Sequence, residues 1–253
     1  MHHYQLTISY QGTRYLGWQI QPASYGKTVQ GEINSALEKI SKSRDVRTLG
    51  SGRTDAGVHA LGQVVKVSIP LDIHPVNLLK AMNSHLPQDI RVLDSTVSTE
   101  EFIPTVHAVS KEYQYRFSTQ AIHPPFARDL IAHIPQELDV ELMRKACQIF
   151  IGRHDFTNYY CEGTPVSSFV REIYECEILE VCESEFLPPY YVFRVVGNGF
   201  LKQMVRLMVG VLWKVGRKKV TLKELEESLS PVKQEKLAAV APGHGLYMVC
   251  VNY

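Results

Sequence analysis

The ten residues Gly50-Ser51-Gly52-Arg53-Thr54-Asp55-Ala56-Gly57-Val58-His59 hold a carboxylate, a cation and three glycines. Glycine adopts left-handed backbone at little steric cost and lets a bulky ligand come close to the chain. An aspartate on such a turn presents one carboxylate edge to whatever approaches. Arg53, two residues from Asp55, supplies a cation, and a nearby cation favours the charged form of a carboxyl group. An ionised carboxylate attacks an electron-poor carbon or takes a proton. The same residues also suit an Asx-turn in a surface loop, because Gly, Asp and Ser build most turns. On pattern alone both readings stand.

Other chemistries find no footing. Gly197-Asn198-Gly199 starts like a dinucleotide loop, but the third glycine position holds Lys202, and Gly243-His244-Gly245 fails likewise at Met248. The ten histidines form no His-Glu-x-x-His pair, and there is no Walker loop and no Gly-x-Ser-x-Gly elbow. Five cysteines, odd in number and without a Cys-x-x-Cys pair, argue against structural zinc and a disulfide framework and suit a reducing compartment. The start, MHHYQLTISY, lacks the basic and apolar regions of a secretory signal. No run approaches the roughly 18 apolar residues of a membrane span. Leu207 to Val215 comes nearest and is interrupted by Lys214.

The elements that must position Asp55 follow from hydrophobic spacing. Tyr4, Leu6, Ile8 and Tyr10 alternate as a strand. Val29, Ile33, Ala36, Leu37 and Ile40 line one face of a helix capped by Thr28. A short strand over 46–49 leads into the glycine-rich stretch, and Val65, Val67 and Ile69 form the strand after it. A helix opens at Pro75, and 90–97 reads as another strand. A second round begins near residue 106. Val109, Lys111, Tyr113, Tyr115 and Phe117 share one face of a strand. Leu142 to Phe150 is a helix stopped by Gly152. Tyr174, Cys176 and Ile178 alternate, as do Tyr191, Phe193 and Val195. The stripe Leu201, Met204, Val205, Met208, Val211, Leu212 and Val215 marks the best helix. Thr221 and Glu224 form a capping box, and 246–253 closes as a strand. The predicted class is α+β, two related halves with mainly antiparallel sheets and helices on one face, a catalytic cleft between them, and domains 1–105 and 106–253.

Net charge is +1, which excludes a uniformly basic coat, but the signs are segregated. Residues 1–70 hold eight Lys/Arg against four acids, and 202–219 hold six Lys/Arg and no acid. Residues 137–185 hold eleven acids against four bases. One basic and one acidic face are expected, with the acidic stretch turned from any nucleic acid.

The stretch Gly52–His59 resembles the signature of the A-type tRNA pseudouridine synthases, the TruA family. So do Gly12–Gln21, Thr28-Val29-Gln30, Asn83–Ile90, Gly152–Thr157, Gly199-Phe200 with Met204-Val205-Arg206 and Val209-Gly210, and Gly245-Leu246-Tyr247. These blocks run in order along nearly the whole chain. The resemblance implies an isomerase that converts uridine to pseudouridine at positions 38, 39 and 40 of the tRNA anticodon stem-loop. It implies no metal or organic cofactor, tRNA as partner, a homodimer, and a cytoplasmic, membrane-free setting. It carries the catalytic aspartate onto Asp55, leaving open whether the carboxylate attacks C1′ or removes a sugar proton.

The resemblance also carries an active-site tyrosine onto Tyr113, whose ring suits stacking on an extruded base. The alternative is that Tyr113 and Tyr115 are both core residues of a sheet. Arg206 matches the family's arginine in the long helix. It is expected to pair with Asp55 or a phosphate, with Arg53 as the competing partner and a solvated basic face as the bland alternative. Arg53 completes the substrate-binding set. Phosphate contacts are expected from Arg14, Lys27 and Lys214–Lys219. One departure stands out: many relatives carry Phe-x-Ala-Arg where this chain has Phe102-Ile103-Pro104-Thr105. Lys111 or a nearby base is the candidate substitute for the missing arginine. The competing functions are a catalytically silent RNA-binding protein of the same fold and an unrelated carboxylate hydrolase.

Overall fold

A computed structural model describes residues 1–163, 166–182, 187–232 and 236–253. The end of the acidic run, residues 183–185, lies outside them. The chain divides into two compact units, Met1–Val109 with Tyr247–Tyr253, and Ser110–Leu246.

In the first unit, β1 (His2–Tyr10) buries Tyr4, Leu6, Ile8 and Tyr10 and leaves the intervening residues part-exposed. This is the period of two that a half-covered sheet demands. Helix α1 (Val29–Ser41) follows, its first turn closed by Thr28, whose hydroxyl accepts from the Gly31 amide. It buries Val29, Ile33, Ala36 and Leu37. Next come β2 (Arg47–Gly50), β3 (His59–Ile69), α2 (Pro75–His85) and β4 (Ile90–Val97). Strand β1 lies between β4 and β3, antiparallel to both. The other edge of β3 is shared. Strand β2 pairs antiparallel with residues 65–68, and the C-terminal strand, Leu246–Asn252, runs parallel to it with Tyr247 opposite His59. Hydrogen bonds from the Val109 amide to the Asn252 carbonyl and from Tyr253 Oη to the Pro104 carbonyl hold the same segment.

The second unit comprises β5 (Ser110–Ser118), β6 (Ala132–His133), α3 (Val140–Phe150), β7 (Gly152–Asp155), β8 (Val170–Val181), β9 (Tyr190–Gly197), α4 (Met204–Gly216) and α5 (Leu222–Glu227). Its sheet runs β6-β5-β9-β8-β7. Every pairing is antiparallel except the short β5–β6 contact. Asp139 caps α3, and the predicted capping box of Thr221 and Glu224 is present at α5. Tyr115, Phe117, Phe150, Phe156, Tyr159 and Phe193 are fully buried. Each such side chain contributes roughly 1.5–3 kcal/mol of transfer free energy. Helix α4 is apolar nearly all round, and Met204, Val205, Leu207, Met208, Val211, Leu212 and Val215 are all buried. The predicted start of that stripe, Leu201, is buried too but precedes the helix, which opens after Gln203 in the left-handed region. The antiparallel, mixed α and β architecture agrees with the class read from hydrophobic spacing. Strands β6 and β7 leave no mark in hydrophobic spacing, because two and four residues are too short to show a period.

Candidate active site

The glycine-rich stretch is the connection from β2 to β3, residues 51–58, and it is fastened at almost every step. The Ser51 amide donates to the Val64 carbonyl at 2.8 Å, and the Val64 amide to Ser51 Oγ at 3.3 Å. The Trp18 amide donates to the Thr54 carbonyl (3.0 Å), the Gly57 amide to the Tyr15 carbonyl (3.3 Å) and the Val58 amide to the Asp55 carbonyl (3.2 Å). Residues 12–18 thus lie directly against residues 54–58. Their approach is so close that a Cβ on Gly12 would come within 1.9 Å of the Val58 carbonyl oxygen, and one on Gly17 within 2.4 Å of the Thr54 carbonyl oxygen. Gly17 also has φ +99°, a conformation that side chains other than glycine rarely take.

A buried polar chain runs beneath the loop. Tyr10 Oη donates to Gln63 Oε1 at 2.6 Å and lies 2.8 Å from Thr54 Oγ1, while Gln63 Nε2 donates to the Gly52 carbonyl at 2.8 Å. Gln63 and Thr54 are buried, so each of these groups needs its partner. At the far end of the loop the Gly12 amide donates to His59 Nδ1 (3.1 Å), and the His59 ring stacks on Tyr247 at 4.6 Å. Asp55 emerges from this frame half-buried. Arg53 is exposed and, among the described residues, makes no ion pair, so the guanidinium–carboxylate contact expected from the two-residue spacing is not formed. Tyr10, Gln63 and Thr54 were missed as supports of the site. The available signal was Gln63 itself, a polar residue in register with Val65, Val67 and Ile69 on β3.

In the second unit, Tyr113 lies on β5 opposite Val195 of β9. It is 8% exposed, and its ring packs edge-on against Phe200 at 5.1 Å. Tyr115, two residues on, is fully buried. Its hydroxyl donates to the Pro242 carbonyl at 2.9 Å, and burial pushes that phenol well above its ordinary range. Gly245 fits against Tyr115, where a Cβ would lie 2.6 Å from the ring. Arg206, in the first turn of α4, is half-buried, and its Nε donates to the Ala241 carbonyl at 2.7 Å. Tyr115 and Arg206 therefore end on successive carbonyls. The solvated-face reading of Arg206 does not hold.

Among the basic candidates, Arg14 is exposed, Lys27 faces Glu32 at 3.2 Å, Lys218 faces Asp139 at 3.5 Å, and Arg217 donates to Gln136. Exposed pairs of this kind are weak and exchange partners readily. Thr105 is exposed in a turn whose Phe102 packs against Tyr253 at 5.1 Å. Among the described residues no three His, Cys, Asp or Glu side chains are grouped to hold a metal ion, and no helix is long and apolar enough to cross a membrane.

Residues 6–99 and 146–253 match the family model described as tRNA pseudouridine synthase. A Bacillus pumilus protein named tRNA pseudouridine synthase A is 42% identical over 248 residues, spanning 98% of this chain and 97% of that one. A Bacillus cereus protein named tRNA pseudouridine synthase A 1 is 40% identical over 247 residues, with the same coverage. A Lacticaseibacillus casei protein named tRNA pseudouridine synthase A is 36% identical over 253 residues, the full length of both.

Proposed function

The chain belongs to the tRNA pseudouridine synthase family, and on that premise we propose that it isomerises uridine to pseudouridine in tRNA, at positions 38, 39 and 40 of the anticodon stem-loop. The observation that carries this reading is a full-length likeness in which Asp55 stands on a loop whose backbone is immobilised around it. A carboxylate carried on a hydrogen-bonded backbone suits a reaction that requires geometric precision at one sugar carbon.

The chemistry balances within the nucleoside. The N1–C1′ bond breaks, the uracil turns, a C5–C1′ bond forms, the C5 proton leaves to water and N1 takes a proton up. We assign Asp55 to the sugar, either as the nucleophile that holds C1′ while the base turns or as the base that removes a sugar proton. A target base must leave its stack before that carbon is accessible. Tyr113 is assigned to stacking on the extruded uracil, which its packing against Phe200 supports. Arg53 and Arg206 are assigned to binding the RNA. The exposure of Arg53 supports its role with an incoming anion. We further infer a homodimer acting in the cytoplasm, where unmodified tRNA is found.

The test is release of tritium from C5-labelled uridine in tRNA. Release to solvent, with pseudouridine at position 38, 39 or 40 of the product, is expected. Tight tRNA binding without release would instead identify a silent RNA-binding protein. Light scattering that shows a fully active monomer would remove the dimer.

A further inference from the structure

Lys111 and Arg171 meet on one patch of the second unit, beside Tyr113. Lys111 is opposite Gly197 in the β5–β9 ladder, and Ile173 is opposite Gly197 in the β8–β9 ladder, so the three form a row across the sheet. Arg171 lies two residues before Ile173 and shares its face. Glycine at 197 and 199 keeps this patch low. A Cβ at 197 would come within 3.0 Å of Ile173 Cδ1 and 3.4 Å of the Phe200 ring, and one at 199 within 3.8 Å of Arg171 Nε. Phe200 folds over Gly197 and abuts Tyr113. Two cations therefore flank an aromatic pair.

Both cations are partly withdrawn from water, and neither position suits a solvated surface charge. Burial lowers the pKa of Lys111, and the charge of Arg171 lowers it further; burial lowers that of Arg171. Arg171 makes no ion pair among the described residues. Its Nη1 donates to the carbonyls of Ser168 (2.8 Å), just before its own strand, and Val170 (2.7 Å), the first residue of that strand. A guanidinium pinned through one nitrogen keeps its plane fixed, and a fixed fork is what bidentate recognition of phosphate requires. A guanidinium partly withdrawn from water and without an ion pair among the described residues gains when an anion meets its fork, and a lysine on the same face adds to that attraction.

We propose that Lys111 and Arg171 together seat one backbone phosphate of the RNA substrate, adjacent to the ring of Tyr113. This rests on the tRNA reading above and deepens it, because it names which cations of the second unit position the strand that carries the target base.

The test uses the full chain and a labelled anticodon stem-loop RNA. Binding is measured as log Kd against log [KCl] for the unaltered protein, Arg171→Gln, Arg171→Lys and Lys111→Gln. Arg171→Gln is expected to weaken binding about tenfold at fixed salt and to lower the salt slope by about one. Lys111→Gln should lower the slope similarly, and Arg171→Lys should restore most of it. In turnover, KM should rise while kcat at saturating RNA stays within about twofold of the unaltered protein. A folded Arg171→Gln with unchanged slope and KM, or one that loses kcat at unchanged KM, overturns the seat. If Arg171→Gln does not fold, the Lys111→Gln slope decides in the same way. If the unaltered protein binds the RNA but releases no tritium, the isomerase reading falls while the slopes still report on the phosphate seat.

Discussion

Around Asp55 the holding is done by backbone amides above a buried chain of side-chain hydrogen bonds, and around Tyr113 by the packing of rings on a strand. The 51–58 loop has amide–carbonyl bonds to residues 15, 18 and 64 and is pressed by two glycines of the 12–18 segment. Asp55 contributes its own carbonyl, which accepts from the Val58 amide at 3.2 Å. In the second unit the tyrosine proposed to meet the base is itself wedged against Phe200, the adjacent Tyr115 donates to the Pro242 carbonyl, and Arg206 donates to the Ala241 carbonyl. The contrast is between a loop framed mainly by residues other than Asp55, a partial separation of support from proposed chemistry, and a β5–α4 region whose frame uses Tyr115 and Arg206 themselves.

The largest expected effect tests that separation directly. Asp55→Asn keeps shape and removes charge, so turnover by tritium release should fall roughly 10³-fold or more while thermal stability stays within error. A variant that turns over normally would dismiss the carboxylate. Gly17→Ala attacks the opposite side of the division. It needs a strained φ and a shift of the Thr54 carbonyl, and should cost about 3 kcal/mol in denaturant unfolding together with most of the activity. If Gly17→Ala unfolds like the unaltered chain, the press of residues 12–18 on the loop is not what holds it.

Tyr113→Ala removes a stacking face and should raise KM by roughly tenfold to a hundredfold. Unlike Asp55→Asn it should also lower stability measurably, because the ring is buried. Tyr113→Phe sharpens the point: near-normal turnover would assign the ring to stacking, and a deep loss would assign the hydroxyl to proton transfer. The smallest effect is expected from Tyr10→Phe, which strips a partner from Gln63 and Thr54 at a cost of about 1–2 kcal/mol. Its activity loss should track its stability loss. If activity falls with no change in stability, the buried chain under the loop serves catalysis rather than support.

Most of the frame that carries these residues is legible in hydrophobic spacing. Thr28, Pro75 and the Thr221–Glu224 box stand at helix starts because their local chemistry leaves few alternatives. Spacing fails where the partner is distant in sequence. Gln63 is paired with Tyr10, 53 residues away, and Arg206 with Ala241, 35 residues away, and nothing local to either announces the contact. The expected Arg53–Asp55 pair fails for the converse reason. Nearness in sequence does not aim two side chains at one another on a loop whose direction is set by residues 12–18.

The parallel strand beside β3 has a consequence for how the protein is made. His59 at the end of the Asp55 loop is stacked on Tyr247, and Gly62 is so close to Val249 that a Cβ there would lie 2.6 Å from its carbonyl oxygen. Residues 1–109 leave the ribosome first, but 110–246 must be added before that neighbour exists. Domains commonly fold in order of synthesis, but here the first lacks its last strand until the second has been made. A nascent chain halted midway would expose an unfinished sheet edge, so translation speed through the intervening stretch sets how long that edge stays open to chaperones.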